Sequence, residues 1–361
     1  MSGRPILVMA GGTGGHVFPG LAVAEHLRGG GEEVQWLGTA RGLEARVVPA
    51  AGMVLHTLPM VGLRGKGLVN WLLAPWRLGI ALWAALLLMM RVKPRLVLGM
   101  GGFASGPGGL VASALNIPLV IHEQNAVAGL TNRWLARVAD RVLEAFPGTF
   151  PEKVGALHTG NPVRGEIAGL PLPDQRFQGR RGPLRLLVLG GSLGALALNE
   201  TVPAALARLP VEARPLVRHQ TGERTLEQAT QAYGNAGVRA EITAFIEDMG
   251  AAYAWADLVV CRAGALTVAE LAAAGVGAIL VPYPHAVDDH QTVNARFLTR
   301  ADAAVLIPPA ELDAQRLAAE LSRMDRTRAL AMAQAARSLA TPDATRVVAG
   351  HCLDLIPGGR P

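Results

Sequence analysis

Three glycine clusters in this chain have the composition needed to hold an anion: residues 11–16 (GGTGGH), 99–109 (GMGGFASGPGG) and 190–195 (GGSLGA). Each follows a short aliphatic run and precedes a segment with helical character. Glycine lets the backbone turn tightly and approach a ligand, with free N–H groups and the positive end of a helix aimed at phosphate. None of the three reads G-x-x-x-x-G-K-[ST], and Val17 stands where the last glycine of G-x-G-x-x-G would fall. ATP hydrolysis and dinucleotide binding therefore lose support. Phosphates held without a P-loop lysine or a carboxylate cluster fit a diphosphate leaving group, steadied by backbone dipoles and arginine.

Beside the first cluster, His16 is positioned to take a proton from a sugar hydroxyl near neutral pH, or else to cap the following helix. His122, Glu123, Gln124, Asn125, Asn161 and Arg164 fall at the C-terminal ends of expected strands, where parallel sheets bind ligands. Glu123 has three readings: a second acid or base, a hydrogen-bond partner for a sugar, or an orienter of His16. In the second half, residues 261–270 (CRAGALTVAE) leave a strand and open a helix, so the N–H groups of Ala265, Leu266 and Thr267 can face a phosphate. Glu270, one turn deeper, can accept the hydroxyls of a ribose. Asp288, Asp289, His290 and Gln291 invite a metal reading, but a loop that begins a helix is better explained by N-capping and sugar contact. No metal or cofactor is expected, and Asp257, Cys261 and Cys352 read as structural.

The elements that must carry these residues are short aliphatic strands at 5–10, 33–37, 96–100, 118–122, 184–189, 258–260 and 278–281, alternating with helical segments. Continuous apolar runs suit parallel strands covered on both faces, and the alternation predicts a doubly wound α/β fold. The pattern restarts at Leu184 after a proline-rich passage over 161–183, and ILVMAGGTGGH resembles LLVLGGSLGA. Two similar Rossmann-like domains follow, 1–163 and 164–341, with a helix in the tail 342–361 that packs back, the first domain being preferred.

Length and composition agree with this. A chain of 361 residues with 50% hydrophobic and 17% charged residues is too apolar for disorder and long enough for two cores. Two cysteines exclude a disulfide framework, and no signal peptide is recognisable at the start. The net charge of +6 is unevenly spread: no acidic residue lies between Glu44 and Glu123, while Arg46, Arg64, Lys66, Arg77, Arg91, Lys93 and Arg95 do. Within that stretch lies LVNWLLAPWRLGIALWAALLLMM, whose uninterrupted apolar part, 78–90, is 13 residues. A span needs ~20. Residues 78–90 are expected to form a packed helix, whereas Arg64, Lys66, Leu68, Trp71, Leu72, Trp76 and Arg77 are expected to touch an anionic membrane surface. No nucleic-acid pattern is present.

Taken together, GGTGGHVFPGLAVAEHL, GMGGFASGPGG, HEQNAVAGLTNRWLA, GNPVR, GGSLGALALNE and CRAGALTVAELAAAGVGAILVPYPHAVDDHQTVNA resemble the MurG family in order and over nearly the whole chain. That family transfers N-acetylglucosamine from UDP-N-acetylglucosamine to lipid I, making lipid II for peptidoglycan. The resemblance implies a GT-B glycosyltransferase fold, with two Rossmann-like domains facing a cleft. It also implies peripheral attachment to the cytoplasmic face of the inner membrane, and a part in cell wall biogenesis, cell shape and the division cycle, with room for other cell wall synthesis proteins as partners. Carried onto this sequence, donor contacts fall on Thr13, Gly14, Gly15, Asn125, Arg164, Ser192, the backbone of Ile246, Ala265, Leu266, Thr267, Val268, Ala269, Glu270 and Gln291. The acceptor diphosphate falls to Gly11, Gly12, Gly101, Gly102, Ser105 and Gly106, and the base to His16, with Glu123 beside it. The α-linked donor and β-1,4 product imply one inverting displacement without a metal. Leu193, Phe103, His290 and Gly277 depart from the family pattern, which bears on sugar recognition and on the strand beginning near Gly277. Two other readings compete: a different UDP-sugar enzyme of the same fold, whether a lipid glycosyltransferase or an epimerase, and a non-catalytic binding module.

Overall fold

The computed structural model describes residues 4–59, 74–191, 194–284 and 289–356. Arg64, Lys66, Leu68, Trp71, Leu72, Ser192, Leu193 and Asp288 lie outside the described residues. The chain divides into two units, Met1–Arg164 with Asp343–Pro361, and Gly165–Pro342. Arg164 groups with the first, where its guanidinium lies 5.6 Å from the centre of the Phe18 ring.

The first unit is built on β1 (Ile6–Met9), β2 (Val34–Thr39), β3 (Val54–Leu58), β4 (Leu96–Gly99), β5 (Leu119–Glu123), β6 (Arg141–Glu144) and β7 (Leu157–His158). They run parallel in the order β3-β2-β1-β4-β5-β6-β7. The central strands ILVM and LVLG are buried throughout, as unbroken aliphatic runs must be when helices cover both faces. Helices Gly14–Gly29, Glu44–Ala50 and Ala344–Leu353 close one face through Val17, Leu27, Val48 and Val348. Helices Ala74–Val92, Ser105–Ala114 and Leu130–Leu135 close the other through Ala85, Met89, Val111 and Leu135. Strand order reverses between β1 and β4, the switch point where sheets of this kind open a crevice for ligands.

In the second unit the winding repeats with β8 (Arg185–Leu189), β9 (Leu216–Gln220), β10 (Glu241–Thr243), β11 (Leu258–Cys261), β12 (Gly277–Leu280) and β13 (Ala304–Leu306), ordered β10-β9-β8-β11-β12-β13. Asp257, fully buried, pairs with Arg180 and, at 3.3 Å, with Arg326, and accepts the Arg185 N–H at 3.0 Å. It thereby fastens the starts of β8 and β11 to each other. Gly277 does not loosen its strand: a side chain there would meet Met332 Cβ at 2.6 Å, so glycine is what admits the helix Arg326–Ser338 against β12. The doubly wound α/β expectation holds in both units.

Candidate active site

Three loops of the first unit meet at the switch point. The turn after β1 and the turn after β4 touch backbone to backbone: a Cβ at Gly102, which has φ +84, would lie 2.3 Å from the Gly11 carbonyl oxygen. Gly101, at φ +95, leaves room for the His16 ring, whose Nδ1 would be 2.9 Å from an added Cβ. His16 sits in the first turn of its helix and does not cap it. Its Nδ1 lies 2.8 Å from Gln124 Oε1, and Gln124 Nε2 in turn lies 3.1 Å from His122 Nδ1 and donates to the His122 carbonyl at 3.3 Å. His122 Nε2 is 3.0 Å from the carbonyl of Gly160. Burial pushes the His122 imidazole down to about 4, so it is neutral at physiological pH.

Glu123 is buried and saturated. One carboxylate oxygen accepts Asn125 N at 3.0 Å and Asn125 Nδ2 at 3.1 Å, and the other accepts Gly129 N at 3.0 Å and Asn132 Nδ2 at 2.9 Å. These four donors shape the loop after β5, and they use the lone pairs that a base would need. These contacts are those of a loop organiser, a role outside the three sequence readings of Glu123.

Two expected diphosphate ligands are engaged elsewhere. Ser105 is wholly buried, and its hydroxyl is shared between the carbonyls of Met9 at 2.9 Å and Gly101 at 2.8 Å. The Gly12 N–H is given to Glu44 Oε2 at 3.0 Å, while Glu44 Oε1 accepts Thr39 N at 2.9 Å and the Thr39 hydroxyl at 2.6 Å. A buried carboxylate thus occupies the back of the first glycine turn, and Gly11, whose Cβ would lie 2.6 Å from Glu44 Oε1, is packed against it. Anion capacity in this turn is left to the start of the helix Gly14–Gly29, whose N-cap, Thr13, makes no side-chain cap, beside the exposed Thr13 and the half-buried Gly14 and Gly15. Gly106 is half-buried at the head of the helix Ser105–Ala114. Glu44 was not identified from sequence as part of the site, and Gln124 was a candidate only by its place at a strand end, with no role assigned. A fully buried carboxylate set among glycines only becomes visible when the strand ends are brought together.

The second unit presents its own turn after β8. Gly191 N donates to Gln220 Oε1 at 3.0 Å, and Gln220 Nε2 returns to the carbonyls of Gly191 at 3.1 Å and Ala244 at 3.0 Å. After β11, the helix Ala265–Ala274 begins with Gly264 as an uncapping N-cap, so the first-turn N–H groups of Ala265, Leu266 and Thr267 have no intrahelical partner. Val268 N already bonds the Gly264 carbonyl at 2.9 Å, which turns the backbones of Val268 and Ala269 to helix building rather than donor contact. Glu270 is buried and accepts the Tyr253 hydroxyl at 3.1 Å. Ile246 lies half-buried in the loop after β10. Gln291 Oε1 accepts Tyr283 N at 2.8 Å, so it fixes the chain leaving β12. The N-capping expected of Asp289 is not found. Its φ of +49 is left-handed, unlike the extended backbone of an N-cap, and its carboxylate instead accepts the Thr292 hydroxyl at 2.7 Å.

The helix Ala74–Val92 packs through Ala81, Ala85 and Met89 and leaves Trp76, Ile80, Trp83, Leu87 and Met90 exposed, the tryptophans at 73% and 62%. Residues 78–90 are therefore packed on one face only. Arg77 is half-buried on the same helix. Leu110, Leu130 and Trp134 are exposed on the helices that cover this side of the sheet, with Arg137 stacked 4.3 Å from the Trp134 ring centre. No helix among the described residues is long and apolar enough to cross a membrane.

Residues 6–144 match the glycosyltransferase family 28 N-terminal domain, and residues 185–347 match the glycosyltransferase family 28 C-terminal domain. The UDP-N-acetylglucosamine–N-acetylmuramyl-(pentapeptide) pyrophosphoryl-undecaprenol N-acetylglucosamine transferase of Alkalilimnicola ehrlichii is 62% identical, over 97% of this chain and 98% of that protein. The transferase of the same name from Marinobacter nauticus is 55% identical over 98% of each. Among solved structures, Acinetobacter baumannii MurG superposes with a TM-score of 0.85 at 42% identity, covering 98% of this chain and all of that one. Two doubly wound units, the glycine turns in family order and identity sustained from end to end all lead to one assignment: the chain belongs to glycosyltransferase family 28 and, within it, to the MurG family of GT-B glycosyltransferases.

Proposed function

We propose that this protein transfers N-acetylglucosamine from UDP-N-acetylglucosamine to the C4 hydroxyl of the N-acetylmuramyl residue of lipid I, giving lipid II and UDP. The observation that carries this reading is end-to-end identity of 62% to a transferase of that name, joined to an imidazole at the switch point whose Nε2 has no hydrogen bond among the described residues. His16 Nε2 takes the hydroxyl proton as the new bond forms. The configuration inverts in a single displacement, so no covalent enzyme intermediate is needed. Negative charge grows on the departing diphosphate, and the N–H groups of Ala265, Leu266 and Thr267, which have no intrahelical partner, are suited to receive it. Glu270 is the ribose partner, Asn125, Arg164 and Gln291 are donor contacts, and Glu123 holds the β5 loop in shape.

The exposed stripe Trp76, Ile80, Trp83, Leu87 and Met90 supports peripheral docking on an anionic membrane at the cytoplasmic face, where a lipid-linked acceptor is presented. Apolar side chains enter the interface, and Arg77 and Arg91 meet the headgroups.

Release of UDP by the purified protein, with UDP-N-acetylglucosamine and a short-chain lipid I analogue in EDTA, is the test. Acceptor-dependent release supports a metal-independent transferase. Donor binding without release would move the protein to the binding-module reading, and release without acceptor would move it to another UDP-sugar reaction.

A further inference from the structure

We propose that Gln124 is a positioning residue that keeps the His16 imidazole protonated on Nδ1, so that Nε2 carries the lone pair that receives the acceptor's proton. This rests on the reading of His16 as the base. The argument starts at the far end of the chain of contacts. A carbonyl only accepts, so Gly160 requires His122 Nε2, 3.0 Å away, to be its N–H. His122 is wholly buried and neutral, which leaves Nδ1 as an acceptor. The amide atom 3.1 Å from that nitrogen must then be the NH2 of Gln124, whose other hydrogen reaches the His122 carbonyl at 3.3 Å, itself a pure acceptor. The amide is thereby oriented, and its oxygen points to His16 at 2.8 Å. An amide oxygen only accepts, so His16 Nδ1 must donate.

No hydrogen bond among the described residues involves His16 Nε2. Gly101 seats the ring from the other side, since any side chain there would press on Nδ1. Asn161 Nδ2 donates to the Gln124 carbonyl at 3.3 Å and holds the backbone of the relay. A neutral imidazole is a base only through its unprotonated nitrogen, and a ring free to exchange tautomers or turn over presents the wrong atom for part of the time. An amide suits the task because, unlike a carboxylate, it brings no charge into a buried cluster that already holds Glu123.

Long-range 1H–15N NMR on protein carrying 15N-labelled histidine reads the tautomer without reference to activity, the His16 signals being those missing in His16→Ala. Protonation of His16 on Nδ1 in the native protein is expected, with Gln124→Leu showing a mixture or the Nε2–H form. A native protein protonated on Nε2 overturns the proposal. A double-mutant cycle on kcat separates positioning from general structural damage. Gln124→Leu should lower kcat about tenfold or more, below the ~10²–10⁴ that a base itself contributes. It should have no further effect in a His16→Ala background, and the donor KM should stay within about twofold throughout. Equal losses in both backgrounds overturn the relay. If His16→Ala alone turned over normally, the base assignment would fall first, and the NMR result would still report the tautomer.

Discussion

The glycine turns that open the two sheets are near copies in sequence, and they are fastened by opposite means. In the first unit a buried carboxylate, Glu44, ties Gly12 to the end of β2. In the second, a neutral amide, Gln220, ties Gly191 to the loop after β10. A carboxylate held against a diphosphate would repel it by roughly 4 kcal/mol for unit charges 4 Å apart at an effective dielectric of 20. The turn with the amide can therefore receive the departing UDP, whereas the turn with the carboxylate is better suited to seating His16. Under the proposed function, similar loops with different fasteners would divide the labour between anion binding and proton transfer.

The largest effect expected from breaking this division is in His16→Ala, where turnover should fall ~10²–10⁴-fold with donor affinity retained, read by UDP release and by calorimetric titration with UDP-N-acetylglucosamine. Normal turnover would remove proton transfer from the first unit. Next come variants of the fasteners. Glu44→Ala removes the acceptor of the Gly12 and Thr39 donors in a part-buried site and should cost about 1–3 kcal/mol in urea unfolding. Gln220→Glu should raise the donor KM about tenfold or more with a smaller change in kcat, because a charge now stands behind the anion turn. A donor KM unmoved by Gln220→Glu would mean the contrast between the turns has no bearing on binding.

Acid should act on both units through their buried neutral histidines. His122 is held down to about 4 and His219 to about 3, in each case by burial first. The unfolded chain protonates near 6.5, so it takes up protons that these imidazoles refuse when folded. Their contribution is complete above that pH and is lost progressively as pH falls towards 4. For His122 alone the loss is about 3 kcal/mol. Urea midpoints measured at pH 7.5, 6 and 5 should decline together for the two units, and a flat profile would contradict neutral burial. The smallest change in soluble turnover is expected for Trp83→Glu, which should weaken sedimentation with anionic vesicles about tenfold while leaving release of UDP on a short-chain acceptor near native.

Much of this was legible before folding. β1, β4, β8, β11 and β12 are short runs dominated by aliphatic residues, and β2 and β5 are mostly apolar but carry Gln35 and the pair His122 and Glu123; strands covered on both faces leave that mark in the sequence. The strands β3, β6, β7, β9, β10 and β13 were not, because at flanking positions residues such as His56, Arg141, Arg218 and Glu241 alternate polar with apolar or the strand is only two or three residues long. The exposed stripe of the Ala74–Val92 helix was hidden for a related reason. An apolar run tells how much can be buried, but which face finds a partner depends on the neighbouring helices.

The sequence by itself determined the doubly wound class, the glycine turns, the family, and His16 as a candidate base, since each of these is carried by residue types at short spacing. Only the tertiary structure decided that Glu123 is saturated, that Ser105 and Gly12 are spent on internal bonds, that Glu44 and Gln220 fasten the two turns, and that Gln124 joins His16 to His122 and Gly160. Hydrogen-bond partners that lie 32 to 108 residues apart, as Gly12 and Glu44 or His16 and Gln124 do, leave no local pattern. They come together because parallel strands deliver their C-terminal ends to one edge of the sheet, whatever the length of chain between them.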